Sequence, residues 1–87
     1  MFEYSVVIPA YNAANFIGDA IESVLSQTLP PREVIVVDDG SNDGTGSLAK
    51  TFPLVKVIRH DHCCGPSQAR NTGISAASCE WIAFLDA

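Results

Sequence analysis

The chain has no glycine-rich cradle for phosphate. The turn after its first apolar run reads Pro9-Ala10-Tyr11-Asn12-Ala13, without G-x-G-x-x-G, and no glycine pair precedes Lys-Ser or Lys-Thr, which excludes a P-loop. Basic side chains are scarce: five Lys and Arg stand against ten Asp and Glu, for a formal net charge of −5. A nucleic-acid ligand, which needs a basic stripe, is not expected. No run approaches the ~18–20 consecutive apolar residues of a membrane span. A strand pattern begins at Phe2, so no signal peptide is expected. The three cysteines are odd in number, and Cys63 and Cys64 are adjacent, so they describe no disulfide framework. A reduced, cytoplasmic setting is expected, at the membrane's cytoplasmic face for a longer protein.

What is present is a regular switch between strand and helix periods. Val6-Val7-Ile8 is a short apolar run closed by Pro9, which cannot donate to a ladder. Phe16, Ile17, Ala20, Ile21, Val24 and Leu25 then form one face of a helix, with Asn12 or Asn15 as its cap and Pro30-Pro31 as its stop. Val34 to Val37 reads as a parallel strand buried on both faces. Asp39-Gly40-Ser41-Asn42-Asp43-Gly44 is turn chemistry, and Asp43 or Thr45 can cap a short helix reaching about Thr51. A third strand is expected over Leu54 to Ile58. Gly65-Pro66-Ser67 starts a third helix, capped by Ser67, whose small residues Ala69, Gly73, Ala76 and Ala77 allow close approach to a sheet. Trp81 to Ala87 reads as a terminal strand delivering one carboxylate, Asp86. The order β-α-β-α-β-α-β implies a Rossmann-like, three-layer α/β fold with a parallel sheet and right-handed crossovers.

In such a sheet the carboxyl ends of the strands share one rim, where ligand chemistry gathers. Pro9-Ala10-Tyr11, Asp38-Asp39, Arg70 and Asp86 all fall there. Asp38 and Asp39 are consecutive and point to opposite faces, so one at most faces a ligand squarely. The other is expected to hold the Gly40-Ser41-Asn42 turn. An ionised carboxylate only accepts hydrogen bonds, and so suits a base edge with an N–H, as uracil has at N3 and guanine at N1. Tyr11 offers a face for stacking. Arg70 lies one turn into its helix and reaches the rim, where a divalent cation on Asp86 and the guanidinium would serve phosphates in place of the absent cradle.

His60-Asp61-His62-Cys63-Cys64 raises a zinc reading, but lacks C-x₂₋₄-C with a second distant pair. It reads instead as a loop that carries thiols and imidazoles. His60 and His62 follow the third strand and are weak candidates for a general base. A phosphoacceptor receiver fits poorly, because the acid-bearing strand comes second and both lysines, Lys50 and Lys56, precede Asp86. A nucleotidyltransferase lacks its glycine- and lysine-rich opening loop. A non-catalytic nucleotide-binding or assembly module is the remaining alternative.

Taken in order, VVIPAYN, VIVVDDGSNDGT, GPSQARNTGI and WIAFLDA resemble the opening half of family-2 glycosyltransferases with the GT-A fold, over essentially the whole chain. The resemblance implies that residues 1–87 are the half binding a nucleotide-diphosphate sugar, usually a UDP-sugar, and that the acceptor half with its catalytic base lies elsewhere. It implies inverting transfer to an acceptor hydroxyl, assisted by Mg²⁺ or Mn²⁺. It also implies Pro9, Ala10 and Tyr11 around the base, Asp39 on its N3–H, and Arg70 near base and diphosphate. Asp86 is similar to the first acid of an Asp-x-Asp motif whose second acid would fall at position 88. Cys63 stands where relatives commonly carry Asn. Donor binding without transfer is expected, with self-association through the open sheet edge.

Overall fold

The computed structural model describes residues 2–86, so Met1 and the last residue of the expected terminal strand, Ala87, lie outside the described residues. The elements are β1 (Tyr4–Ala10), α1 (Ile17–Leu25), β2 (Glu33–Asp38), α2 (Thr45–Ala49), β3 (Val55–Arg59), α3 (Pro66–Ala76) and β4 (Trp81–Phe84). The strands form one parallel sheet in the order β3-β2-β1-β4, with Ala10 beside Asp38, Asp38 beside Arg59 and Val7 beside Phe84.

The two faces of the sheet divide the core by strand parity. Val6, Ile8, Val34 and Val36 pack against Ile17, Ile21 and Val24 of α1 and Ala49 of α2. Val7, Ile35 and Val37 face the other way, onto Ala69 of α3. This is why the β2 run is apolar without alternation: both faces are covered. The chain crosses outward from β1 to β2 to β3, then returns to the far side of β1. With right-handed crossovers, the outward and returning helices must lie on opposite faces. The expected three layers are therefore present, and the sequence order reverses between β1 and β4.

Several boundaries and caps differ from expectation. Neither Asn12 nor Asn15 caps α1, whose flanking residue is Phe16 with no side-chain cap. Its entry is held from across the molecule, where Ala13 N–H donates to Thr45 Oγ1 (2.9 Å) and Ala14 N–H to Asp43 Oδ2 (3.1 Å). Asn12 takes a left-handed φ of 48° and accepts from Asn42 N–H instead. Neither Asp43 nor Thr45 is the cap of α2, which is Gly44 with no side-chain cap; Asp43 accepts the Thr45 N–H from one residue further back, and α2 ends at Ala49 rather than near Thr51. β3 starts at Val55, leaving Leu54 largely exposed. Ser67 does not cap α3; it lies within the first turn, after Gly65 and Pro66. Of the small-residue stripe, Ala69 and Gly73 are buried on the sheet while Ala76 faces outward. β4 ends at Phe84, and Leu85 N–H still donates to Val7 O. Among the described residues no helix is long and apolar enough to cross a membrane.

Candidate functional site

At the carboxyl rim lies a cavity of about 360 Å³ lined by Pro9, Ala10, Tyr11, Asp39, Arg70 and Asp86, together with Cys63, Pro66 and Ala69. All six residues selected from the sequence are thus brought together. The position follows from topology: β1 and β4 flank the point where strand order reverses, the usual crevice of an open α/β sheet. The volume falls in the range of small-ligand sites.

The two consecutive acids divide their work. Asp38 is fully buried, with Oδ1 accepting from Ser41 N–H (3.0 Å) and Oδ2 from Arg59 Nη1 (2.7 Å). It holds the turn after β2, as one of the pair was expected to do. Arg59 was not singled out from the sequence, although it sits beside Asp38 in the parallel register and also donates to Ser41 O.

Asp39 points the other way, into the cavity, and is almost fully buried. Its Oδ1 accepts from Cys64 N–H (2.9 Å) and lies 2.7 Å from His60 Nδ1. Its Oδ2 accepts from Gly65 N–H (2.9 Å) and from the Cys63 thiol (3.4 Å). Burial pushes this carboxyl up, but Cys64 N–H, His60, the Cys63 thiol and Gly65 N–H together outweigh it and hold the group at about 2. Asp39 therefore stays ionised and fastens the end of β2 to the start of α3, whose N-terminal N–H groups favour an anion. The loop that brings these donors passes so close to Gly40 (φ 78°) that a Cβ there would sit 2.6 Å from the backbone of His62 and Cys63. Only glycine fits both that backbone angle and that approach.

At the other end of the cavity Arg70 Nη2 meets Asp86 Oδ1 at 3.3 Å, and both side chains are substantially exposed. Tyr11 is half exposed, with its ring on the cavity wall. His60 does not stand free on the rim. Its Nδ1 faces Asp39 and its Nε2 lies 2.9 Å from Thr72 Oγ1, so both nitrogens are engaged. Sequence reasoning missed these partners, since nothing local links residue 39 to residues 60–65.

The family model described as Glycosyl transferase family 2 matches residues 5–87. The glycosyltransferase GlyG of Streptococcus pneumoniae is 38% identical over 86 residues, covering 94% of this chain and 29% of that protein. Among solved structures, TarS of S. aureus in complex with UDP superposes with a TM-score of 0.89 at 31% identity, covering 98% of this chain and 27% of that one. The mannosyltransferase PcManGT from Pyrobaculum calidifontis, in complex with GDP-Man and Mn²⁺, gives 0.86 at 30% identity, covering 99% and 28%. The chain thus spans under a third of the length of these relatives, and its fold is the corresponding part of the GT-A fold.

Proposed function

The chain belongs to glycosyltransferase family 2, and from that premise we propose that it is the donor-binding half of an enzyme transferring a sugar from a nucleotide-diphosphate sugar to an acceptor hydroxyl. The observation that carries this reading is the convergence of Tyr11, Asp39, Arg70 and Asp86 on one cavity. An aromatic wall and a permanently ionised, nearly buried acceptor occupy one end; an arginine and an exposed carboxylate occupy the other. That polarity matches a ligand with a flat base carrying an N–H and a diphosphate tail. A UDP-sugar is the favoured donor, and guanine at N1 is the alternative base.

Asp39 already accepts four hydrogen bonds, so a base N–H needs one of them to yield. The Cys63 thiol is the weakest donor of the four and lines the cavity, so its exchange for a base N–H costs least. Backbone donors at Cys64 and Gly65 keep the carboxylate aimed while this happens. Arg70 contributes a delocalised cation to the diphosphate.

Asp86 offers one exposed oxygen ligand, which fits Mg²⁺ or Mn²⁺, since such ions take one or two carboxylates and complete their shell with substrate phosphates and water. When bound, the cation supplies Lewis-acid neutralisation of the departing diphosphate. His60, tied to Asp39 and Thr72, is not assigned as the base that deprotonates the acceptor; donor binding is the task assigned to this chain. The free cysteines suit a cytoplasmic location.

Calorimetric titration with UDP, GDP, CDP and ADP, with and without Mn²⁺, tests the reading. Metal-dependent binding of UDP or GDP, weaker for CDP and ADP and abolished in Asp39→Ala, is expected. Absence of binding by every nucleotide in the presence of Mn²⁺ would remove the donor site from this chain.

A further inference from the structure

Around Asp39 the fold gathers ligand atoms that the sequence keeps apart. A carboxylate oxygen of Asp39, a ring nitrogen of His60 and Sγ of Cys64 all lie within 4.8 Å of one another. Cys63 Sγ is a further donor, 3.4 Å from Asp39 Oδ2. One oxygen, one nitrogen and two sulfurs make a donor set for a thiophilic, tetrahedral cation rather than for Mg²⁺ or Mn²⁺. The spacing of the His60–Cys64 segment lacked a second, distant ligand; Asp39, arriving from the end of β2, is that ligand.

The surroundings are built as metal sites are. Thr72 Oγ1 donates to Gln68 O (3.0 Å) and so has a lone pair available for His60 Nε2–H at 2.9 Å. With Nε2–H on Thr72, the cation would take the Nδ1 lone pair in place of the Nδ1–H that now faces Asp39, and the outer nitrogen would stay held as metal-bound imidazoles usually are. Cys64 N–H and Gly65 N–H stay on Asp39 and steady its charge. Cys63 Sγ already faces Asp39, and Cys64 Sγ, which now donates to His62 O (3.4 Å), has only to turn from that carbonyl.

We propose that Asp39, His60, Cys63 and Cys64 form a binding site for Zn²⁺ or a similar thiophilic divalent cation, and that its occupation opposes nucleotide binding. Coordination forms four metal–ligand bonds in exchange for the cation's bound waters, and the two thiol protons and the His60 Nδ1 proton leave to solvent. The antagonism rests on the donor-site reading, because the cation takes the carboxylate that the base requires and draws Cys63 across the cavity mouth. The site is chemically separate from the Mg²⁺ or Mn²⁺ expected at Asp86.

The test adds Co²⁺ to the reduced chain and records its absorption spectrum. The intense visible bands of tetrahedral cobalt and an ultraviolet thiolate-to-cobalt band are expected, lost in Cys64→Ser, weakened in Cys63→Ser and unchanged in Cys79→Ser. Cys64→Ser retains the backbone N–H, and its far-ultraviolet dichroism and melting in metal-free buffer report whether it is folded. A wild-type chain without thiolate bands, or bands that survive in folded Cys64→Ser, would overturn the site. UDP is then titrated in Mg²⁺ with and without an equivalent of Zn²⁺, and affinity is expected to fall by about tenfold or more. Unchanged affinity overturns the antagonism. If neither UDP nor GDP binds either form, the donor reading fails, while the cobalt spectrum still decides the metal site.

Discussion

Glu33 provides the sharpest test of how the fold is held, because it lies at the opposite end of the sheet from the cavity. It heads β2 and is almost fully buried, yet it joins four segments. Oε2 accepts from Ser5 Oγ in β1 (2.6 Å) and from the N–H (2.6 Å) and hydroxyl (2.7 Å) of Ser78 in the link to β4; Oε1 pairs with Lys56 Nζ in β3 (3.1 Å). Burial raises its carboxyl, but the Ser5 hydroxyl, the two Ser78 donors and the Lys56 ammonium outweigh that and bring it from 4.5 down to about 2. At 1.36 kcal/mol per unit, ionised Glu33 favours the folded state by about 3 kcal/mol. A chain of this size has roughly 4–13 kcal/mol in all.

The folded value is depressed, so this stabilisation is complete above about 4.5 and disappears as pH falls from there through about 2. Glu33→Gln, which replaces one acceptor oxygen by a donor facing donors, should cost ~2–4 kcal/mol at pH 7. Urea denaturation of both proteins from pH 7 to pH 2 measures it. The gap between them should be widest above pH 5 and shrink by roughly 3 kcal/mol toward pH 2. A gap that stays constant over that range, or a Glu33→Gln protein as stable as its parent at pH 7, would refute the electrostatic account.

A Cβ at Gly46 would fall on Asp38 Oδ2, the oxygen held by Arg59. Gly46→Ala should therefore lower stability by ~1–3 kcal/mol, read from thermal melting, despite its better helix propensity. Asp86→Asn removes only an exposed ion pair and should shift stability by less than about 1 kcal/mol. The same change should weaken UDP binding more in Mn²⁺ than in chelator, and equal loss in both would detach Asp86 from the cation. Phe2, Leu29, Trp81 and Phe84 are exposed along or beside the open β4 edge. Light scattering should show association that grows with concentration, and a clean monomer at high concentration would count against it.

The alternation of elements was legible because each period is strong over its own segment: i, i+4, i+8 spacing in α1 and unbroken β-branched runs in β1 and β2. The rim followed from that alternation, since parallel strands put their carboxyl ends together whatever the details. What escaped was every partnership set by loops meeting in space. Asn12 and Asn15 looked like caps, yet Thr45 and Asp43 satisfy the N–H groups before α1 from about thirty residues away. Asp39 looked like an acceptor waiting for a ligand, yet the start of α3 and His60 already fill its lone pairs. Arg59 and Glu33 carry no local signal and were not singled out, because register alone brings Asp38, Ser5 and Lys56 beside them.

β4 is four residues long, with Trp81, Ala83 and Phe84 exposed and only Ile82 partly covered. It pairs with a strand that leaves the ribosome 77 residues earlier, Tyr4 against Trp81. Asp86 follows directly from this strand, so the end of the cavity where Arg70 meets Asp86 is complete only while β4 remains docked. Amides of β4 should exchange with solvent well before those of β1 and β2. A nucleotide bridging Asp39 and Asp86 would then act as a clasp, slowing exchange most in the strand that completes its own binding site.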